Sequence, residues 1–108
     1  MKRLCPEKLL AIISPTALTE TLTNMLRRKG ISGYTLLQTS GVGSSGPQTG
    51  MLDIDTNVLI YVILSEERVS TLLDELERLL RKGHHLKVFV SDVGLLALKQ
   101  SEPVPPAP

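Results

Sequence analysis

The sequence predicts an α+β domain of the ferredoxin-like type, with two helices on one face of an antiparallel sheet and the order βαββαβ. Three observations carry this expectation. Residues 9–13, 34–37, 56–64 and 86–90 are short apolar runs of strand length. Residues 16–29 and 65–83 repeat apolar side chains at the helical period, between start and stop signals. A long polar loop, 41–53, separates the second strand from the third.

Residues 1–7 read as a lead-in, and 9–13 (LLAII) as a strand covered on both faces. Ser14 and Pro15 have the chemistry of an N-cap followed by proline at the first helical position. Leu18, Leu22, Met25 and Leu26 then share one helical face; Arg27, Arg28 and Lys29 suit the negative end of the dipole, and Gly30 stops the helix. The second strand, from Tyr34, turns at Ser40 into the loop. Residues 56–64 (TNVLIYVIL) are again apolar on both faces. Ser65 caps the second helix, Glu66 and Glu67 occupy its first turn, and Gly83 ends it. Its predicted buried stripe is Val69, Leu72, Leu73, Leu76, Leu79 and Leu80. Residues 86–90 form the fourth strand, and 93–98 a short fifth. The domain spans 1–100; the tail 101–108, with four prolines in SEPVPPAP, is expected to be disordered.

With 108 residues the chain makes one domain, and its 42% hydrophobic share includes only Tyr34, Tyr61 and Phe89 as aromatics. Twelve basic against eleven acidic side chains, a net charge of +1, leave no electrostatic footprint for nucleic acid or an anionic membrane. No apolar run reaches the roughly 18 residues of a membrane span. The start lacks the apolar core of a signal peptide, and Cys5 is the only cysteine. A soluble cytoplasmic protein with no membrane insertion is the expectation. Two helices cover only one face of a sheet whose first and third strands are apolar on both. The second face must therefore be buried by other copies, and an oligomer is predicted.

No residue pattern forms a catalytic set, so the protein is expected not to be an enzyme. Ser44 and Ser45 carry no sign of an activated nucleophile, and Asp53 and Asp55 lack a neighbouring base or nucleophile. The fragment GVGSSG has no lysine and so is not a Walker-type phosphate loop. Adjacent His84 and His85 point opposite ways on a strand and have no cysteine or spaced carboxylate beside them, so no metal site is expected. Just past Gly83 and before Lys87, they suit a phosphate-contacting turn. Backbone amides of a Gly-rich turn leaving a strand can likewise close around an anion.

In order and spacing, four segments resemble the PII signalling superfamily over about residues 8–99. AIISP (11–15) matches an apolar strand ending in a Pro-started helix. KGISGYT (29–35) is similar to the GITGMT segment, SGVG (40–43) stands where a GFG motif does, and LKVFVSDV (86–93) resembles GKIFVFDV. The resemblance implies a homotrimer binding adenine nucleotides in clefts between subunits, with loop 41–53 as the T-loop that docks a protein partner. By matching position, Ile12, Gly33, Tyr34, Thr35 and Ile63 line the base side. Gly41, Gly43 and Ser44 meet the ligand from the loop base, and Gly83, His84, His85 and Lys87 form the phosphate side.

The departures narrow the ligand. Ser45 and Asn57 stand where PII proteins carry the glutamine and lysine that hold magnesium and 2-oxoglutarate. The phosphate loop is shortened to GHHLK, and Leu98 and Gln100 replace two triphosphate-gripping arginines. No tyrosine lies between Ser40 and Asp53 to be uridylylated. ADP or AMP therefore fits better than ATP, since fewer phosphates need fewer cations. This points to the PII-like branches tied to inorganic carbon, the carboxysome-associated protein and the bicarbonate-transporter regulators, with bicarbonate as the second ligand. The partner is then a transporter or another carbon-metabolism protein. The alternative is a CutA-like metal-binding or structural trimer, in which the loop is a passive hairpin and His84 and His85 are the candidate metal ligands.

Overall fold

The computed structural model describes residues 3–40 and 56–96. In order these form β1 (Leu4–Pro15), a 3-10 turn (Thr16–Leu18), α1 (Thr19–Arg28), β2 (Thr35–Ser40), β3 (Thr56–Leu64), α2 (Glu66–Arg81) and β4 (Lys87–Leu96). The strands lie in the order β2-β3-β1-β4, every pairing antiparallel. This is the ferredoxin-like α+β arrangement that the patterning predicts, with the two most apolar strands at its centre. Loop 41–53, with Gly41, Gly43 and Ser44, and the tail 101–108 lie outside the described residues.

Successive strand residues face opposite sides of a sheet, so one parity of each strand builds the core. Leu10 and Ile12 of β1 and Ile60 and Val62 of β3 pack with Leu22, Met25 and Leu26 of α1 and Val69, Leu72 and Leu76 of α2. The helices begin and end by different means. The Ser65 Oγ accepts the Arg68 N–H at 3.4 Å and caps α2. Both C-termini close on a glycine with positive φ, Gly30 at +78° and Gly83 at +97°. Beyond each glycine a backbone amide reaches back into the last turn: Ile31 N–H donates to the Leu26 carbonyl at 2.9 Å, and His84 N–H to that of Leu79 at 3.2 Å.

Four expectations need correction. Strand β1 begins at Leu4, so most of the supposed lead-in is strand, paired with β4 as far as Leu4 opposite Leu96. Pro6 is tolerated there because the pairing with β3 stops at Lys8, which leaves that flank of β1 without a paired strand among the described residues. Strand β1 also runs on through Pro15, whose φ of −57° and ψ of 146° are extended, and a 3-10 turn separates it from α1. Ser14 does not cap the helix; its Oγ donates to the Pro15 carbonyl at 2.9 Å. The fourth strand and the start of the supposed fifth are one strand, β4, held straight by unbroken pairing with β1. Finally, Leu73 and Leu80 do not join the buried stripe of α2 but stay exposed on the side away from α1.

The sheet face away from the helices is apolar too. In register across it lie Thr35, Tyr61, Ala11 and Phe89, with Leu37 and Leu59 in the next outward row and Ile63 beyond Tyr61. Tyr61 is 36% exposed, Phe89 44%, Ile63 45% and Leu37 50%, so large side chains meet solvent in a single copy. Ala11 is fully buried on this same face, because its register partners Tyr61 and Phe89 flank its short side chain. Among the described residues no helix is long and apolar enough to cross a membrane.

Candidate functional site

The residues singled out from sequence fall into two groups on opposite edges of the sheet. Gly33, Tyr34 and Thr35 form the connection from α1 into edge strand β2, and all three are exposed. Thr35 pairs with Tyr61 of β3, and continuing that register by two residues brings Gly33 level with Ile63. Gly33, Tyr34, Thr35 and Ile63 thus make one exposed wall, with a small polar edge and an apolar floor. Gly33 has no positive φ, and a Cβ there would meet nothing within 4 Å.

The second group sits on the other edge. Gly83 turns the chain out of α2, and His84, half-buried, and exposed His85 lead through Leu86 into β4 at Lys87. Gly83 is a conformational requirement, since its φ of +97° is one that side chains resist. Lys87 lies opposite Ile13, near the end of β1, and so at the end of the sheet where β2 runs out towards 41–53. Exposed Arg81 and Lys82 lie in the same stretch, at the negative end of the α2 dipole. Arg81 pairs with Glu77 at 3.4 Å, an exposed pair that leaves its charge available to solvent.

Ile12 does not belong to either wall. It is fully buried in the core beside Leu10 and Ile60, so its side chain is committed to holding the sheet to the helices. Parity puts Ile12 on one face with Leu10, but with both faces of β1 apolar the sequence does not say which of them the helices cover. Two polar side chains that the sequence reading passed over support the site from behind. Thr16 Oγ1 donates to the Thr56 carbonyl at 3.0 Å and ties the start of β3 to the turn after β1. Arg68 donates to carbonyls at the end of α1. Neither partner is legible locally, because each bond spans about forty residues of chain; the one local sign is that Arg68 puts a cation in the acidic first turn of α2.

The two walls cannot meet on one molecule. Thr35 and Lys87 lie on the outer strands, β2 and β4, three strand spacings or about 14 Å apart, and Ile63 of β3 stands one spacing in from Thr35. Among the described residues no group of three or more His, Cys, Asp or Glu could hold a metal ion, so His84 and His85 gather no further ligands there.

Comparison with known proteins matches residues 7–96 to the model of the nitrogen regulatory protein P-II family. A structure of CPII from Thiomonas intermedia K12 bound to ADP and bicarbonate is 35% identical. It has a TM-score of 0.74 over 90% of this chain and 95% of that one. Another CPII structure, bound to ADP, AMP and bicarbonate, is 32% identical, with a TM-score of 0.70 over 86% and 96%. A protein of Thermus thermophilus assigned as PII-like is 26% identical, with a TM-score of 0.69 over 87% and 93%. A search of the curated proteins finds no match. Family model and structures agree over nearly the whole described fold, and the chain belongs to the nitrogen regulatory protein P-II family as a PII-like regulatory protein.

Proposed function

We propose that this protein is a non-enzymatic regulator that assembles as a homotrimer and binds ADP or AMP in the clefts between subunits. The observation that carries the proposal is the separation of the two walls onto opposite sheet edges. One ligand touches both only when the β2 edge of one copy meets the β4 edge of the next. Such a head-to-tail contact, repeated with a rotation of one third of a turn, closes into a three-membered ring. The same ring covers the apolar face that carries Tyr61, Ile63 and Phe89, which a single copy leaves in water.

Within the cleft, Gly33, Tyr34, Thr35 and Ile63 take the base and ribose side. The open space around Gly33 lets a ligand from outside the chain approach the backbone closely. Gly83, His84, His85 and Lys87 take the phosphates, with Lys87 as the fixed cation. Gly41, Gly43 and Ser44 close the site from the loop base. CPII, at 32–35% identity, has been seen with ADP, AMP and bicarbonate, and in a further structure with ADP, AMP and acetate. A small planar anion beside the nucleotide is therefore the second ligand we propose, bicarbonate first. Loop 41–53 passes the bound state to a protein partner, such as a transporter or another protein of inorganic carbon metabolism. It responds only as far as ligand affinity differs between its partner-competent and partner-incompetent states.

Isothermal titration with AMP, ADP and ATP, each with and without bicarbonate, tests this reading. One nucleotide per subunit is expected, ADP or AMP ahead of ATP, with affinity raised by bicarbonate. Lys87→Ala is expected to weaken it by about tenfold or more, the worth of a hydrogen bond to a charged group. Absence of binding to all three nucleotides would refute the proposal.

A further inference from the structure

Arg68 breaks a local rule. It stands in the first turn of α2, the positive end of that helix's dipole, directly after Glu66 and Glu67, which obey the rule. A cation placed against its own helix points to a task set by tertiary structure. Here that task is visible. The Arg68 Nη2 donates to the Gly30 carbonyl at 3.2 Å and to the Lys29 carbonyl at 3.4 Å. Both carbonyls lie at the C-terminus of α1, where the helix leaves acceptors without intrahelical partners and its dipole favours a cation.

The base-side wall begins just beyond those carbonyls. Gly30 turns at a φ of +78°, Ile31 drops into the core, and Ser32, Gly33 and Tyr34 then run exposed into β2 at Thr35. The connection is therefore pinned behind by Arg68 and the buried Ile31, and ahead by the pairing of Thr35 with Tyr61. A second tie, Lys29 Nζ to Glu75 Oε1 at 3.4 Å, holds the end of α1 to the middle of α2 but does not reach past Lys29.

We propose that Arg68 is a positioning residue, whose guanidinium holds the end of α1 and thereby fixes the wall made by Gly33, Tyr34 and Thr35 without touching the ligand. This rests on the nucleotide reading above. Binding that needs a preformed wall is weakened when the wall must first be ordered.

Two measurements on the full chain test it: native-state amide hydrogen exchange without ligand, and titration with ADP. In Arg68→Ala the amides of Gly30 and Ile31, bonded to the Arg27 and Leu26 carbonyls at the entry to that wall, are expected to exchange faster while those of Leu22 and Ile60 stay protected. ADP affinity should fall by about two- to thirtyfold, the range of mutations that act on a site without contacting it. Arg68→Lys keeps the cation and should give an intermediate loss, and it serves as the test should Arg68→Ala not fold. Leu76→Val is the control for lost stability alone; it should lower the melting temperature and leave ADP affinity in place. Unchanged exchange at Gly30 and Ile31, unchanged affinity in Arg68→Ala, or an equal loss in Leu76→Val would each overturn the assignment. Wild-type protein that binds none of AMP, ADP and ATP would bring down the nucleotide reading and this role together. Wild-type binding that Arg68→Ala leaves unaltered would remove only the role of Arg68.

Discussion

Lys8 lies where β1 stops pairing with β3, and its ammonium bonds Asp92 of β4 and, at 3.4 Å, Glu66 at the start of α2. The hydrogen bond to Asp92 raises its pKa above the ordinary 10.5, outweighing the opposite effect of burial, and Glu66 adds to the rise. The fold thus binds this proton more tightly than the unfolded chain does. The stabilisation is complete below the unfolded pKa and is lost as pH rises through the raised folded value. Both carboxylates are over four-fifths exposed, so solvent keeps the effect small. Urea unfolding across alkaline pH should show stability falling above about pH 10.5, and in Lys8→Met that part of the decline should disappear. An identical alkaline slope in the two proteins would show that the Lys8 cluster contributes nothing.

At the scale of elements, α2 is the piece that links the site's parts. It carries Arg68 at one end and delivers Gly83, His84, His85 and Lys87 at the other. Its N-terminus rests on one side-chain cap, Ser65, whose bond to Arg68 N–H is long at 3.4 Å. Ser65→Ala should therefore cost about 0.5–1 kcal/mol, the lower part of the range for lost caps, read as a shift in the urea midpoint without a change in slope. Both helix ends were legible in the sequence, because Gly30 and Gly83 answer a local need for positive φ. The start of α1 was not. Ser14 and Pro15 carry the residue types of a cap, yet pairing with Val58 and Asn57 of β3 holds them in the strand. The length of β1 was hidden for a similar reason: Pro6, Glu7 and Lys8 interrupt the apolar run, while their strand conformation comes from backbone pairing.

For the whole molecule, the proposed ring is the feature with the largest consequence. Phe89 sits on the outer face in the row with Ala11 and Tyr61, away from the helices, so a charge there spares the monomer core and blocks burial between copies. Phe89→Asp should keep its far-ultraviolet circular dichroism and sediment as a monomer, and the wild type should sediment at three times that mass. A monomeric wild type would leave the walls on the two edges without a means of meeting.

The sequence by itself determined the order of elements, the helix stops and the apolar character of both sheet faces, since each is written in local periodicity or a single residue's conformational need. It also carried the resemblance to the P-II family, which the family match and the CPII structures bear out. Tertiary structure alone decided which apolar residues were spent in the core. Ile12 went to the helices, while Ile63, just as apolar, was left on the outer face. It alone placed Thr35 and Lys87 on opposite edges, and it alone brought Arg68 to the end of α1. The physical reason is common to all three. Strand order and helix packing are set by burying one continuous core, and that burial, not any local pattern, selects which residues far apart in the chain become partners.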